Sequence, residues 1–106
     1  MTPREFGRRR DGLVHALGGG LWLHRFVLDG HPMAHLVSAD RDALLGWGAA
    51  RGLDPRWIQY KPLRDPSTGA RVPAWHWDLE GDLLPARSRP DGTSGGFAGT
   101  EGDPEV

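Results

Sequence analysis

The sequence predicts a small single domain of the α+β class, built from a β-hairpin, one packed amphipathic helix and a further strand. Two apolar segments, 21–28 and 33–37, flank Asp29-Gly30, and this dipeptide favours a tight hairpin turn because both positions tolerate positive φ. Apolar residues then recur at helical spacing up to about Arg51 and stop before a glycine. The last alternating run, 74–79, predicts the further strand.

The hairpin turn also predicts the register of the first two strands. A two-residue turn places His24 opposite His35 and Trp22 opposite Val37. Because side chains on a strand alternate between the two faces of a sheet, we expect all four of these side chains on one face. Two histidines are therefore predicted to face each other across the hairpin.

The helix has clear signals at both ends. Ser38 or Asp40 is predicted to cap its N-terminus, and Gly52 is the natural residue just past its C-terminus. Arg51 in the last turn suits the negative end of the helix dipole. The side chains that we expect to face the core are Ala43, Leu44, Trp47 and Ala50.

The chain divides into three predicted parts. Residues 1–11 form a loose basic N-terminal arm, residues 12–84 the folded domain, and residues 85–106 a Gly/Pro-rich acidic tail. The tail holds too few large apolar residues to offset the entropy cost of ordering it, so we expect it to be disordered. Inside the domain, the proline-containing segment 61–73 is expected to be a long loop. A folded part this small has a limited core, which favours a homodimer.

Composition excludes several classes of function. The 13 basic and 14 acidic residues nearly cancel, so no overall field attracts nucleic acid or a membrane surface. Without cysteine there is no disulfide framework and no thiolate nucleophile or metal ligand. The apolar stretches are far shorter than a membrane span, and the N-terminus lacks the apolar segment of a secretory signal. We therefore expect a cytoplasmic protein that does not bind membranes.

The run Trp75-His76-Trp77-Asp78-Leu79 is the most informative segment of the chain. On a strand, His76 and Asp78 point to one face, while the two tryptophans point to the other. This arrangement is typical of a site built on a sheet, with polar groups on one side and packed side chains behind them.

Four segments of the chain follow one another in an order known from a protein family. Ala34-His35-Leu36 precedes a helix that ends at Gly52-Leu53, and Trp57-Ile58-Gln59 and His76-Trp77-Asp78-Leu79 come after it. This order resembles a family of small bacterial and phage proteins classed as a domain of unknown function. The pattern of that family is Trp-x-His-Leu, a helix ending Gly-Leu, Trp-Phe-Gln and His-Tyr-Asp-Leu. The resemblance implies no chemistry, but it points to four site positions, which are His35, Gln59, His76 and Asp78.

The likeness covers about residues 33–79, and the chain departs from the family pattern within it. Met33 and Trp77 stand where the family has Trp and Tyr, and Ile58 stands where it has Phe. Members of the family usually continue into a further helix and a final strand. Here Glu80 leads almost directly into the predicted tail.

The group His35, His76 and Asp78 has three interpretations. As catalytic residues, they provide an imidazole held by a carboxylate, which serves as a general base. As metal ligands, together with His24, they suit zinc or another divalent first-row cation. As a structural group, each imidazole is buried and satisfied by a backbone carbonyl or by Asp78. The cofactor is thus unknown from the sequence, with a divalent metal as the candidate.

Three residues are candidates for ligand binding, namely Gln59, Trp57 and His24. The amide of Gln59 can bind a ligand, although a glutamine in such a loop more often holds the loop by hydrogen bonding to the backbone. The five tryptophans are expected mainly in the core, because the chain has few phenylalanines and a single tyrosine.

A second class of function is suggested by segment 56–77, where cations alternate with aromatic side chains. Proteins bind single-stranded nucleic acids with this combination. The residues are Arg56, Trp57, Tyr60, Lys61, Arg64, Arg71, Trp75 and Trp77. The sequence therefore leaves two hypotheses. The first is a His/Asp site that binds a small or anionic ligand or performs acid–base or hydrolytic chemistry, and the second is a nucleic-acid or protein interaction module.

Overall fold

A computed structural model describes residues 2–85 and confirms the α+β class, with two helices and a mostly antiparallel sheet. The predicted tail beyond Pro85 lies outside the described residues. Neither helix within residues 2–85 is long and apolar enough to cross a membrane. In chain order the elements are α1 (Arg9–Leu17), β1 (Trp22–Leu28), β2 (His31–Ser38), α2 (Arg41–Ala49), β3 (Gln59–Tyr60), β4 (Leu63–Arg64), β5 (Arg71–Val72) and β6 (Trp75–Glu80).

The main sheet has four strands in the order β1-β2-β6-β3. The predicted hairpin register is confirmed, since His24 pairs with His35 and Trp22 pairs with Val37. The turn between β1 and β2 has positive φ at both Asp29 (50°) and Gly30 (79°), as a tight hairpin turn requires. The further strand β6 lies beside β2, so the hairpin forms one half of the sheet and β6 with β3 forms the other.

Helix α2 covers one face of the sheet, which we call the core face. The predicted N-cap is confirmed, because the Asp40 carboxylate accepts a hydrogen bond from the backbone N–H of Ala43 at 3.0 Å. The indole of Trp77 donates to the carbonyl of Leu44 at 2.8 Å and so joins the helix to β6. The buried residues of this face are Leu21, Leu23, Ala34, Leu36, Leu44, Trp47, Leu53, Trp77 and Leu79.

The buried stripe of α2 differs from the prediction at its C-terminal end. Leu44 and Trp47 are buried as expected, but Ala50 is exposed and Gly48 is buried instead. The helix packs so closely on β6 that a Cβ atom at residue 48 would lie 2.4 Å from Cζ2 of Trp77. Glycine is therefore needed at this position for the approach of helix to strand, not for a turn.

The opposite face of the sheet carries α1, and the expected loose basic arm is wrong. Within this segment, the backbone of Arg4 forms two hydrogen bonds at the start of β1. Its N–H donates to the carbonyl of Leu21 at 2.9 Å, and its carbonyl accepts from the N–H of Leu23 at 2.8 Å. Helix α1 begins at Arg9 and packs with Trp22 in a second buried cluster. The consecutive arginines suggested a solvated arm, whereas the weak pattern Leu13, Ala16 and Leu17 at helical spacing was the signal for α1.

The long loop predicted over 61–73 is also only partly correct. Strands β4 and β5 form a short antiparallel hairpin inside it, with Leu63 opposite Val72 and Arg64 opposite Arg71. Leu63 packs against the cluster that contains Trp22, so this hairpin lies on the same face of the sheet as α1. We call this the cleft face, because α1 and the β4–β5 hairpin leave part of it open.

Candidate functional site

Three strands place polar side chains together on the cleft face. β6 carries His76 and Asp78 at alternate positions, and its pairing with β2 sets His35 opposite Asp78. On the other side of β6, β3 sets Gln59 opposite His76. Because the alternation of strand side chains gives these four residues the same direction, the register alone brings them together. We call these four residues the polar floor.

The carboxylate of Asp78 is the centre of the polar floor. Its Oδ1 lies 3.2 Å from Nε2 of His35 and 3.2 Å from Nε2 of His76. Its Oδ2 accepts a hydrogen bond of 2.6 Å from the amide of Gln59. The expectation that Gln59 holds its loop through the backbone is therefore wrong, because its side chain is committed to Asp78. One carboxylate thus orients two imidazoles and is itself held by an amide.

Aromatic rings support the two imidazoles from the side of β1. The rings of His35 and His76 are 4.6 Å apart between centroids, and the ring of Phe26 lies 4.7 Å from that of His35. His24 stands further along this row, in contact with Phe26 and Trp22. Its predicted pairing with His35 is confirmed, but it does not line the open part of the cleft face.

Burial favours the neutral form of both imidazoles. The pKa of His35 lies below its usual value because the side chain is partly removed from water, and the nearby Asp78 opposes this effect only in part. The pKa of His76 is lowered by burial first and by the neighbouring His35 second, again against the attraction of Asp78. At neutral pH both rings are therefore uncharged and keep one nitrogen lone pair each.

The polar floor lies at the bottom of an open cleft of about 470 Å³. This volume falls within the range of roughly 300–1,000 Å³ that is typical of small-molecule sites. We call it the basic cleft, because the residues between 2 and 85 that line it include four cations and one carboxylate, Asp78. The cations are Arg9, Lys61, Arg64 and Arg71.

The two structures that the sequence did not predict build the walls of the basic cleft. Helix α1 supplies Arg9, and the β4–β5 hairpin with the residues before it supplies the other three cations. Arg64 and Arg71 are direct partners across the β4–β5 ladder. Like charges at paired positions of a sheet are destabilising, so this pair makes the wall suited to an anion. The cation-rich composition of segment 56–77 indicated this charge, but not that it surrounds the histidines.

The aromatic residues of segment 56–77 lie away from the cleft. Tyr60 follows Gln59 on β3 and so points to the core face, where its ring lies 5.6 Å from that of Trp75. Trp57 belongs to a short 3-10 turn that contacts α2, and it does not line the cleft. Both side chains are 59% exposed. The three cleft-lining cations of this segment and its two exposed aromatics therefore lie on opposite sides of the sheet.

The polar floor also has the composition of a metal site. Within residues 2–85, His35, His76 and Asp78 each offer a ligand atom, and these atoms lie within 4.8 Å of one another. The predicted fourth candidate, His24, is not part of this group. Trp57, His24 and the floor residues are thus separated by the fold, and only the floor residues converge.

Comparison with protein-family models, with curated proteins and with solved structures gives no match. The geometry and charge of the basic cleft are therefore the guide to its function.

Proposed function

We propose that the basic cleft binds a small phosphate-bearing ligand and that the polar floor acts on it by acid–base or hydrolytic chemistry. The observation that supports this proposal is the placement of the floor beneath four cations, with Asp78 as the one carboxylate among the described residues that line the cleft. A phosphate group carries several acceptor oxygens, and arginine guanidinium groups bind them with paired hydrogen bonds. The electrostatics of the cleft thus select an anion, and the floor supplies reactive groups beside it.

Each floor residue has a role in this proposal. Imidazole is the usual side chain for proton transfer near neutral pH, and His35 and His76 are the two candidates. Asp78 fixes both rings through its Oδ1, which is 3.2 Å from each Nε2. Gln59 fixes Asp78 through the other carboxylate oxygen. Gln59 and Asp78 are positioning residues, and the two histidines are the proposed acid and base.

A nucleic-acid or protein interaction module is the second hypothesis from the sequence, and the location of the aromatics makes us favour the small ligand. Single strands are bound where bases stack on aromatic rings beside a cationic groove. Here Trp57 and Tyr60 are exposed on the side of the sheet that faces away from Lys61, Arg64 and Arg71. A short ligand that fills the cleft uses the cations without needing those rings.

Calorimetry on the full chain in chelator-containing buffer tests the binding half of the proposal. We expect inorganic phosphate and a nucleoside monophosphate to bind, and the uncharged nucleoside not to bind. The variant Arg71→Gln should weaken phosphate binding, whereas Arg41→Gln, an exposed cation at the start of α2, should leave it unchanged. Equal effects of the two variants, or absence of phosphate binding, would contradict the proposal.

Two further measurements address the chemistry and the alternative. Hydrolysis of p-nitrophenyl phosphate and bis(p-nitrophenyl) phosphate should be lost in His35→Ala and His76→Ala variants that still bind phosphate. Anisotropy with a labelled single-stranded oligonucleotide should give weak binding that Trp57→Ala and Tyr60→Ala do not change. Tight binding that depends on these two aromatics would favour the interaction module instead.

A further inference from the structure

We infer that His35, His76 and Asp78 bind one divalent cation of the zinc type, with a fourth coordination position open to the basic cleft. This site goes beyond the proposed function, since it does not depend on which anion occupies the cleft. The acid and base roles proposed for His35 and His76 apply to the metal-free protein, because an imidazole that binds a cation does not transfer protons. Two imidazoles and one carboxylate are a common ligand set of zinc sites that perform chemistry, whereas structural zinc sites take four protein ligands.

The distances between the ligand atoms fit tetrahedral coordination. Zinc–nitrogen and zinc–oxygen bonds of roughly 2.0–2.2 Å place neighbouring ligand atoms of a tetrahedron about 3.3 Å apart. Oδ1 of Asp78 lies 3.2 Å from Nε2 of His35 and 3.2 Å from Nε2 of His76. All ligand atoms of the group lie within 4.8 Å of one another. Two edges of the tetrahedron are therefore already at the required length, and the group offers a set of ligand atoms with no separation above 4.8 Å.

The hydrogen bond from Gln59 leaves the other carboxylate oxygen of Asp78 available to bind a cation. Gln59 occupies Oδ2, so Oδ1 is the oxygen that faces both imidazoles. A ligating carboxylate held by a hydrogen bond to its other oxygen is typical of metal sites, because that bond fixes the orientation of the ligand. Phe26 lies against the His35 ring and restricts its rotation in the same way.

The accessibility of the group suits an open site rather than a closed one. The side chain of His76 is 10% exposed, that of His35 28%, and that of Asp78 44%. The cation would thus have the buried His76 on one side and the open cleft on the other. Two neutral imidazoles and one carboxylate leave a divalent cation with a net charge of about +1. The bound cation would therefore attract an anion, as the four cations of the cleft do.

The experiment uses tag-free full-length protein, freed of metal by chelation and then dialysed. Calorimetry with Zn²⁺ should give one site per chain, and Co²⁺ should give the intense visible absorption of four-coordinate cobalt. The variants His35→Gln and Asp78→Asn should lose both signals. Gln59→Ala should weaken zinc binding about tenfold to a hundredfold, because it removes only the orienting bond. His24→Gln, a histidine on the same face but outside the group, is the matched control and should bind as the parent does.

Three results would overturn the inference. They are the absence of saturable zinc binding by the folded parent, a cobalt spectrum of the six-coordinate type, and equal affinity in the parent and Asp78→Asn. If His35→Gln proves unfolded by circular dichroism, the parent's cobalt spectrum and Gln59→Ala still decide the question. Phosphate titration in chelator tests the proposed function separately. A protein that binds zinc but not phosphate keeps the cation site and ends the proposed function, and the reverse result does the opposite.

Discussion

The core face and the cleft face of the sheet are built by the same strands and differ in what covers them. On β6, Trp77 and Leu79 point to the core face and are buried under α2, while His76 and Asp78 point to the cleft face. Between the core face and α2, the buried side chains form one apolar cluster. The cleft face is covered by α1 and the β4–β5 hairpin near Trp22, and beside them lies an open cleft whose lining is rich in cations.

The two faces therefore have different roles: the core face stabilises the fold, and the cleft face carries the groups proposed to bind a ligand. Apolar burial is the main favourable term in folding, and most of it belongs to the core face. The polar floor removes imidazoles and a carboxylate from water only in part, and their mutual contacts offset that cost. We therefore expect core-face substitutions to change unfolding, and cleft-wall substitutions to change binding.

Replacing a core-face tryptophan should give the largest loss of stability. Trp77→Ala removes a side chain that is 2% exposed, together with its hydrogen bond to Leu44, and should lower the unfolding free energy by about 3–5 kcal/mol. Trp57→Ala is the matched control, because that side chain is 59% exposed, and it should change stability by under about 0.5 kcal/mol. Urea unfolding followed by circular dichroism measures both. Similar losses in the two variants would contradict the assignment of the core face.

Two glycines of α2 should respond to alanine with opposite signs. A Cβ at residue 48 would lie 2.4 Å from the Trp77 ring, so Gly48→Ala should destabilise by about 1–3 kcal/mol despite better helix propensity. Among residues 2–85, Gly46 has no neighbour within 4 Å of its Cβ position, and Gly46→Ala should stabilise by up to about 1 kcal/mol. Thermal melts of the two variants check this. Stabilisation by both would show that α2 does not pack this closely on β6.

Stability should fall as the pH is lowered through 6.5 in metal-free, chelator-containing buffer. The pKa of His15, His35 and His76 is lowered in the folded protein, so the unfolded chain takes up protons first as the pH falls below 6.5, the ordinary pKa of histidine. The folded state is then disfavoured, and stability is lost on the acid side of 6.5. Melting midpoints between pH 8 and pH 5 measure this, and a double variant His35→Gln/His76→Gln should give a flatter profile. A midpoint that rises on acidification would contradict the prediction.

Removing one arginine of the paired wall should have the smallest effect on folding. Arg71→Gln relieves the repulsion from Arg64 across the β4–β5 ladder and should stabilise by less than about 1 kcal/mol at low salt. Added phosphate should raise the melting midpoint of the parent more than that of the variant, because ligand binding stabilises the folded state. A larger phosphate effect in Arg71→Gln would show that this wall does not hold the anion.

The sequence predicted the elements that local signals define. The Asp29-Gly30 turn fixed the pairing of His24 with His35, and the alternation in β6 placed His76 and Asp78 on one face. The contact between Gln59 and Asp78 could not be predicted, because β3 has only two residues and exists through its pairing with β6. The family resemblance, the homodimer and the cytoplasmic location remain predictions.

The missed elements share a different cause, which is their dependence on distant contacts. Helix α1 buries a glycine, since Trp22 occupies the space that a side chain at Gly12 would need, and a buried glycine gives no hydrophobic signal in a sequence. Strands β4 and β5 are two residues each and are separated by a turn-rich segment. The cleft walls therefore had to be seen in three dimensions, although their cations were visible in the sequence.

The alternation along β6 has a consequence for changes in chain length. Core-face and cleft-face residues alternate along β6 from Trp75 to Glu80, with a period of two residues. Deleting or inserting one residue inside it would turn an indole towards the cleft and an imidazole or carboxylate towards the core. The turn at 65–70 between β4 and β5 has no such alternation. It can change length without moving side chains from one face of the main sheet to the other. Along β6, the site and the core can therefore be altered by substitution but not by a shift of one position.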